Sequence, residues 1–159
     1  TRKTFGFSDR REDTFIGGLS MGGFGAVCTA LKYPETFSKA IGFSSAFVIN
    51  EILMNGKRVT STETNQAFQD HIYGPLEKLK KSEKNPAALL SGLLEKGKPV
   101  PDLYLACGTE DYLLENNREF RDFLKLHNVP LVYVEFPGEH NWDFWNRALE
   151  PAVKWMMEG

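Results

Sequence analysis

The chain has 159 residues, a formal net charge of −2, 42% hydrophobic residues and 12 phenylalanines. That length suits one globular domain with a real core, and that apolar and aromatic content excludes a disordered chain. The near-neutral balance, without a basic stripe, speaks against nucleic acid as a partner, and no apolar run reaches the length of a membrane span.

In chain order, Thr1 to Phe7 reads as the end of a helix, and Ser8 to Asp13 as a polar connection. Thr14 to Leu19 is a short buried strand. A helix follows from Gly22 to about Tyr33, with small residues at Gly23, Gly25, Ala26 and Ala30 for close packing, and Pro34 ends it. Phe37 to Ser44 is a second strand, apolar at Ala40-Ile41-Gly42-Phe43. Two strands separated by a helix form a βαβ unit, and hence a parallel sheet.

From Ser45 to Lys98 the pattern changes. Asn55-Gly56 marks a turn, and Asn65 to Tyr73 a short helix that Gly74-Pro75 breaks. Leu76 to Lys80 reads as another helical turn, and Lys78, Lys80, Lys81 and Lys84 as a solvated face. Asn85-Pro86 supplies an N-cap and an N1 proline ahead of a helix over Ala87 to Lys96. This insertion, at about 45–98, fits a cap over the strand ends and fits a decorated crossover helix equally well.

Pro101 to Cys107 is strand three, and Gly108-Thr109-Glu110-Asp111 is the polar turn at its end. Leu113 to His127 is an amphipathic helix offering Leu113, Phe120, Phe123, Leu124 and Leu126 to the core, closed by Asn128. Pro130 to Phe136 is strand four. Pro137 to Asn141 is a further loop at a strand end, and Trp142 to Met157 is the last helix. No repeat or interdomain linker interrupts the chain, so residues 1–159 form one unit. Cys28 and Cys107 each lie in an apolar stretch. Buried free thiols are the simplest reading, a disulfide stays open, and neither has a partner at zinc-ligand spacing.

Gly18-x-Ser20-x-Gly22, between a strand and a helix, is the spacing of a nucleophile elbow. A serine hydroxyl exposed at the tip of a tight strand-to-helix turn has a strained backbone. Side chains two residues before and after it are expected to collide with their neighbours, and glycine removes both. The helix start also aims free N–H groups and a positive dipole end at the site.

Open parallel sheets bind ligands beyond the carboxyl ends of their strands. Three such ends carry Ser20, Asp111 and His140, in the order Ser, Asp, His of the α/β-hydrolase arrangement. His140 would take the Ser20 proton and return it to the leaving group. Asp111 would hold the imidazole tautomer. The Met21 backbone N–H would supply half of an oxyanion hole. Glu110 is a rival acid, and Asp111 could instead cap the following helix. His127, at a helix C-terminus, and His71, in the insertion, are the other histidines. Trp142, Phe144 and Trp145 read as core anchors of the histidine loop. Phe47, Met54 and Tyr73 are candidates for an acyl pocket.

At Gly-Leu-Ser20-Met-Gly-Gly, Cys-Gly-Thr-Glu-Asp111 and Gly-Glu-His140-Asn-Trp142-Asp-Phe-Trp145 the chain resembles a family of esterases. That family includes esterase D-like enzymes, tributyrin esterases and carbohydrate-esterase family 1 members such as feruloyl and acetylxylan esterases. The resemblance extends over nearly the whole chain, Tyr73-Gly74-Pro75-Leu76 included, and is nearest to bacterial tributyrin-type esterases. It implies an α/β-hydrolase fold, a mostly parallel sheet with helices on both faces. It also implies no metal or organic cofactor, and hydrolysis of small acyl esters through an acyl-serine at Ser20, with Asp111 and His140. Thioesterases, acyltransferases and non-catalytic binding modules share the frame. The family places several strands and the second oxyanion donor ahead of the elbow. The chain is therefore expected to be the C-terminal part of its domain, with its N-terminal segment as a partner and the second donor outside these residues. A cytoplasmic location is favoured, and a homo-oligomer is left open.

Overall fold

The computed structural model of the chain describes residues 2–55 and 72–158. A short helix α1 (Arg2–Phe5) and a 3₁₀ turn (Arg11–Asp13) lead into β1 (Phe15–Leu19) and α2 (Met21–Lys32). Then come β2 (Lys39–Phe43), α3 (Ile49–Asn55), α4 (Leu76–Leu79), α5 (Pro86–Glu95), β3 (Asp102–Gly108), α6 (Leu114–Leu126), β4 (Leu131–Phe136) and α7 (Trp142–Met157). The strands lie side by side in the order β1-β2-β3-β4, and each neighbouring pair is parallel. Leu19 pairs with Phe43, Phe43 with Ala106 and Gly108 with Phe136, so the carboxyl ends of the strands gather along one edge.

Alternation along the strands builds two cores. Ala40, Leu103 and Leu105 face one side, where they meet Val27 and Leu31 of α2, Leu90 of α5 and Phe120 and Leu124 of α6. Ile41, Phe43, Tyr104 and Ala106 face the other, where Phe144, Trp145, Ala148 and Ala152 of α7 cover them. Successive neighbours joined by crossovers of one hand put the crossover helices on one face. The helix after the last strand is free to take the other. Strands buried on both faces must be apolar throughout, which is why β2 and β3 read as unbroken hydrophobic runs. β1 is only half buried and pairs on one side alone among the described residues.

Most of the predicted elements appear within two residues of their expected ends. Asn85 caps α5, its Oδ1 accepting from Ala87 N at 3.1 Å, with Pro86 at the first helical position. The second strand is shorter than expected: Ser44 leaves it with a left-handed φ of 44°. Helix α3 is an element the sequence reading lacked; Ile49 and Ile52, three apart, are its buried stripe. Both cysteines are free. The expected turn at Gly56, most of the helix predicted over Asn65 to Tyr73, and His71 lie outside the described residues. No helix among the described residues is long and apolar enough to cross a membrane.

Candidate active site

Ser20 sits between β1 and α2 with φ 54° and ψ −123°, a conformation that L-residues rarely adopt. Such strain persists only where the surroundings over-determine it. Here Ser20 N donates to Phe43 O at 2.8 Å, and Ser20 O accepts from both Phe24 N and Ala46 N at 3.1 Å. The side chain makes no cap to its own helix. Its hydroxyl is instead 2.9 Å from His140 Nε2.

The two glycines of the elbow differ. A Cβ on Gly18 would strike the Gly22 backbone and lie 2.9 Å from Gly23 N, as expected. A Cβ on Gly22 meets nothing within 4 Å, so the expected collision there is absent. The crowding falls one residue later. A Cβ on Gly23 would run into Ser45 Oγ and lie 3.1 Å from Gly18 O, because α2 packs directly against the first residues beyond β2.

Asp111 and His140 complete the line. His140 Nδ1 is 3.0 and 3.1 Å from the two Asp111 carboxylate oxygens. The Asp111 side chain is fully buried, and that of His140 is 15% exposed. Asp111 is not the N-cap of α6, which is Leu113, but it holds the turn ahead of that helix: Leu113 N donates to its Oδ1 at 2.8 Å. Burial would push the Asp111 carboxyl up. The hydrogen bonds from His140 and Leu113 N–H, with the nearby Ser44 hydroxyl and the charge on His140, outweigh it and hold the group below its ordinary value. The acid is thus an anion aimed at one imidazole nitrogen, which sets the tautomer that leaves the other nitrogen free to accept from Ser20.

Glu110 is not the partner of the imidazole. Its carboxylate accepts from Thr109 Oγ1 at 2.8 Å and from Gly138 N, while its own N–H donates to Gly138 O at 3.1 Å. It clamps the turn after β3 to the turn after β4 and so fixes the loop that carries His140. The clamp is tight enough that a Cβ on Gly108 would overlap the Gly138 carbonyl. His127 lies at the C-terminal end of α6 with its Nδ1 2.8 Å from Phe123 O, away from the site.

Asn117 was missed in the sequence. It is fully buried, donates from Nδ2 to Ser45 O and Leu113 O at 2.9 Å each, and accepts from Ser45 N at 3.2 Å. It straps the acid turn to the loop beside the elbow. Its only sequence signal is an amide at a core position of an amphipathic helix. The histidine-loop aromatics divide. Phe144 and Trp145 are buried core anchors, as expected, but Trp142 is 65% exposed, its ring edge-on to Trp145 at 5.2 Å. Trp142 is the first residue of α7, two residues ahead of Phe144, where that helix's buried face begins. Tyr112, also exposed, lies over His140 at 4.7 Å. Of the acyl-pocket candidates, Phe47 is core, packed on Phe24 and Phe120, and Met54 is 84% exposed. Tyr73 reaches the site's margin, its hydroxyl 3.8 Å from Met21 Sδ.

With this geometry in hand, comparison with known proteins is informative. The family model described as "Putative esterase" matches residues 2–156. An acetyl esterase of Caldicellulosiruptor saccharolyticus is 39% identical over 156 residues, 98% of this chain and 59% of that protein. Two solved Staphylococcus aureus structures superpose on the fold. One is an S-formylglutathione hydrolase (TM-score 0.82, 33% identity, 98% of this chain, 58% of that one). The other is fluorophosphonate-binding serine hydrolase F with substrate bound (TM-score 0.85, 31% identity, 99% of this chain, 59% of that one). This chain therefore spans a little under three fifths of the length of these relatives. A four-stranded parallel sheet with helices on both faces, matched to esterases of the α/β-hydrolase type, fits a partial domain of that fold. The chain belongs to this esterase family.

Proposed function

We propose that the protein is a serine carboxylic-ester hydrolase acting on short acyl esters, with Ser20 as nucleophile, His140 as base and Asp111 as the orienting acid. The observation that carries the reading is one continuous hydrogen-bonded line: Ser20 Oγ to His140 Nε2 at 2.9 Å, then Nδ1 to Asp111 Oδ2 at 3.0 Å. Ser20 Oγ attacks the ester carbonyl while His140 Nε2 accepts its proton, then hands that proton to the departing alkoxide. The buried Asp111 stabilises the imidazolium formed between those steps. Water repeats the sequence on the acyl-serine and releases the acid. Met21, first residue of α2, supplies one N–H to the tetrahedral oxyanion. We assign the second donor to the part of the domain outside these residues.

The acetyl esterase relative supports a small acyl group, and the fluorophosphonate-binding relative supports a reactive serine. The S-formylglutathione hydrolase relative keeps thioester cleavage as the second reading, with the same three residues. Turnover of p-nitrophenyl acetate, an acyl thioester and a feruloyl sugar by the full-length protein separates these. The acetyl ester is expected to be turned over fastest, with Ser20→Ala at the uncatalysed rate. Wild type no faster than Ser20→Ala on all three would overturn the reading.

A further inference from the structure

Tyr112 follows Asp111 in the turn after β3, where neither burial nor hydrogen bonding holds its side chain. It is 55% exposed, so its ring contributes little to the core. Its hydroxyl makes no hydrogen bond among the described residues. Yet the ring lies against the His140 imidazole, with centroids 4.7 Å apart and the planes inclined at 43°. The imidazole is anchored without it. Asp111 holds Nδ1, Ser20 meets Nε2 at 2.9 Å, and the buried Trp145 stands edge-on at 85° with centroids 5.1 Å apart. What remains for Tyr112 is electrostatic. The face of a phenol ring is negative and attracts a cation within about 6 Å of its centroid. His140 becomes such a cation during the reaction. As Ser20 Oγ bonds to the carbonyl carbon, its proton moves to Nε2 while Nδ1 keeps its own, and the imidazole takes one positive charge.

We propose that Tyr112 is a positioning residue that acts through His140: its aromatic ring stabilises the imidazolium formed in each proton transfer. This rests on the functional reading above. An imidazole without that charge gains much less, so the contact favours the transition state over the ground state. Asp111 and Tyr112, consecutive in the chain, share the new charge. The carboxylate meets it through Nδ1, and the phenol meets it through its π system. With the hydroxyl unpartnered among the described residues, the ring is the part that acts.

Three replacements in the full-length protein test this, read by the rate constant of fluorophosphonate labelling against pH. That rate constant does not depend on how much protein is folded. Tyr112→Phe keeps the ring and lacks the hydroxyl; Tyr112→Leu keeps an apolar cover and lacks the ring. A trifluorinated phenylalanine at position 112 keeps the shape and drains the negative face. Tyr112→Phe is expected to label at the wild-type rate. Tyr112→Leu is expected to label about two- to fivefold more slowly on the plateau, with the fluorinated ring close to it. An imidazolium without the ring loses its proton more readily, so in both slow variants the acid limb moves to lower pH, by about half a unit. In ester turnover kcat falls by the same factor while KM stays. The titratable and charged groups on the elements around the imidazole are Asp111 and Glu110 of the acid turn, Glu139 of its own loop, Cys107 of β3, and Asp143 and Arg147 of α7. All are the same in every variant, so a difference between variants belongs to the ring. A fluorinated ring that labels like Tyr112→Phe with an unmoved limb, or Tyr112→Phe as slow as Tyr112→Leu, would overturn the proposal. So would a loss confined to KM, which would make Tyr112 a substrate contact. A wild type that does not label at Ser20 would instead bring down the functional reading itself.

Discussion

A proton can travel from Ser20 to His140 only if the imidazole carries its own proton on Nδ1, and Asp111 is the group that keeps it there. Asp111→Asn preserves the shape and the bond from Leu113 N but offers an N–H where the imidazole needs an acceptor. Turnover is expected to fall on the order of 10⁴-fold with KM little changed. The same residue makes stability depend on pH. Its folded-state pKa lies below its ordinary 3.8. Between those two values the unfolded chain binds more protons than the folded one, so stability falls as pH falls through that window. Above it, the contribution is complete. Thermal melts between about pH 5 and 2 should therefore show a shallower acid loss in Asp111→Asn than in wild type. That Ser20, Asp111 and His140 would meet was legible in the sequence because each stands in a loop at the end of an apolar strand. Asn117 was not legible. Its work depends on contacts between residues far apart in the chain, which no local pattern records.

Elements hold those loops in place, and two of their contacts should be costly to disturb. Asn117→Ala removes two buried hydrogen bonds between α6 and Ser45 in the loop after β2, and a third to Leu113 O at the start of α6. It leaves the buried Ser45 N–H without its partner, so a loss of about 2–4 kcal/mol is expected in chemical denaturation. Gly23→Ala inserts a methyl where α2 crosses the loop after β2, and about 1–3 kcal/mol of overpacking is expected. Gly22→Ala, with open space around it in the described residues, should cost far less; equal losses in the two would contradict the packing assigned to α2. Periodicity served well where one face is buried. In α7, Phe144, Trp145, Ala148 and Ala152 carry the helix straight through Pro151, whose missing N–H would stop a less well anchored segment. It served poorly at α3, a single two-turn helix whose short apolar stripe resembles any buried loop.

At the scale of the molecule, the two faces of the sheet are unequally covered among the described residues. Several helices pack over one, α7 alone covers the other, and β1 remains half buried with one edge unpaired among the described residues. Residues 1–159 expressed alone should therefore bind a hydrophobic dye and melt broadly. A sharp transition at high temperature would count against this. The α/β-hydrolase order of Ser, Asp and His was readable because a parallel sheet with sequential strands converts chain order directly into position along one edge. The central claim is that three loops on that edge form one proton-handling line with Ser20 at its open end. Mass mapping of the full-length protein after reaction with a fluorophosphonate tests it most directly. One adduct on the peptide that carries Ser20, lost in Ser20→Ala and much slowed in His140→Gln, is the expected result. An unmodified Ser20, or an adduct that survives its replacement, would contradict the claim.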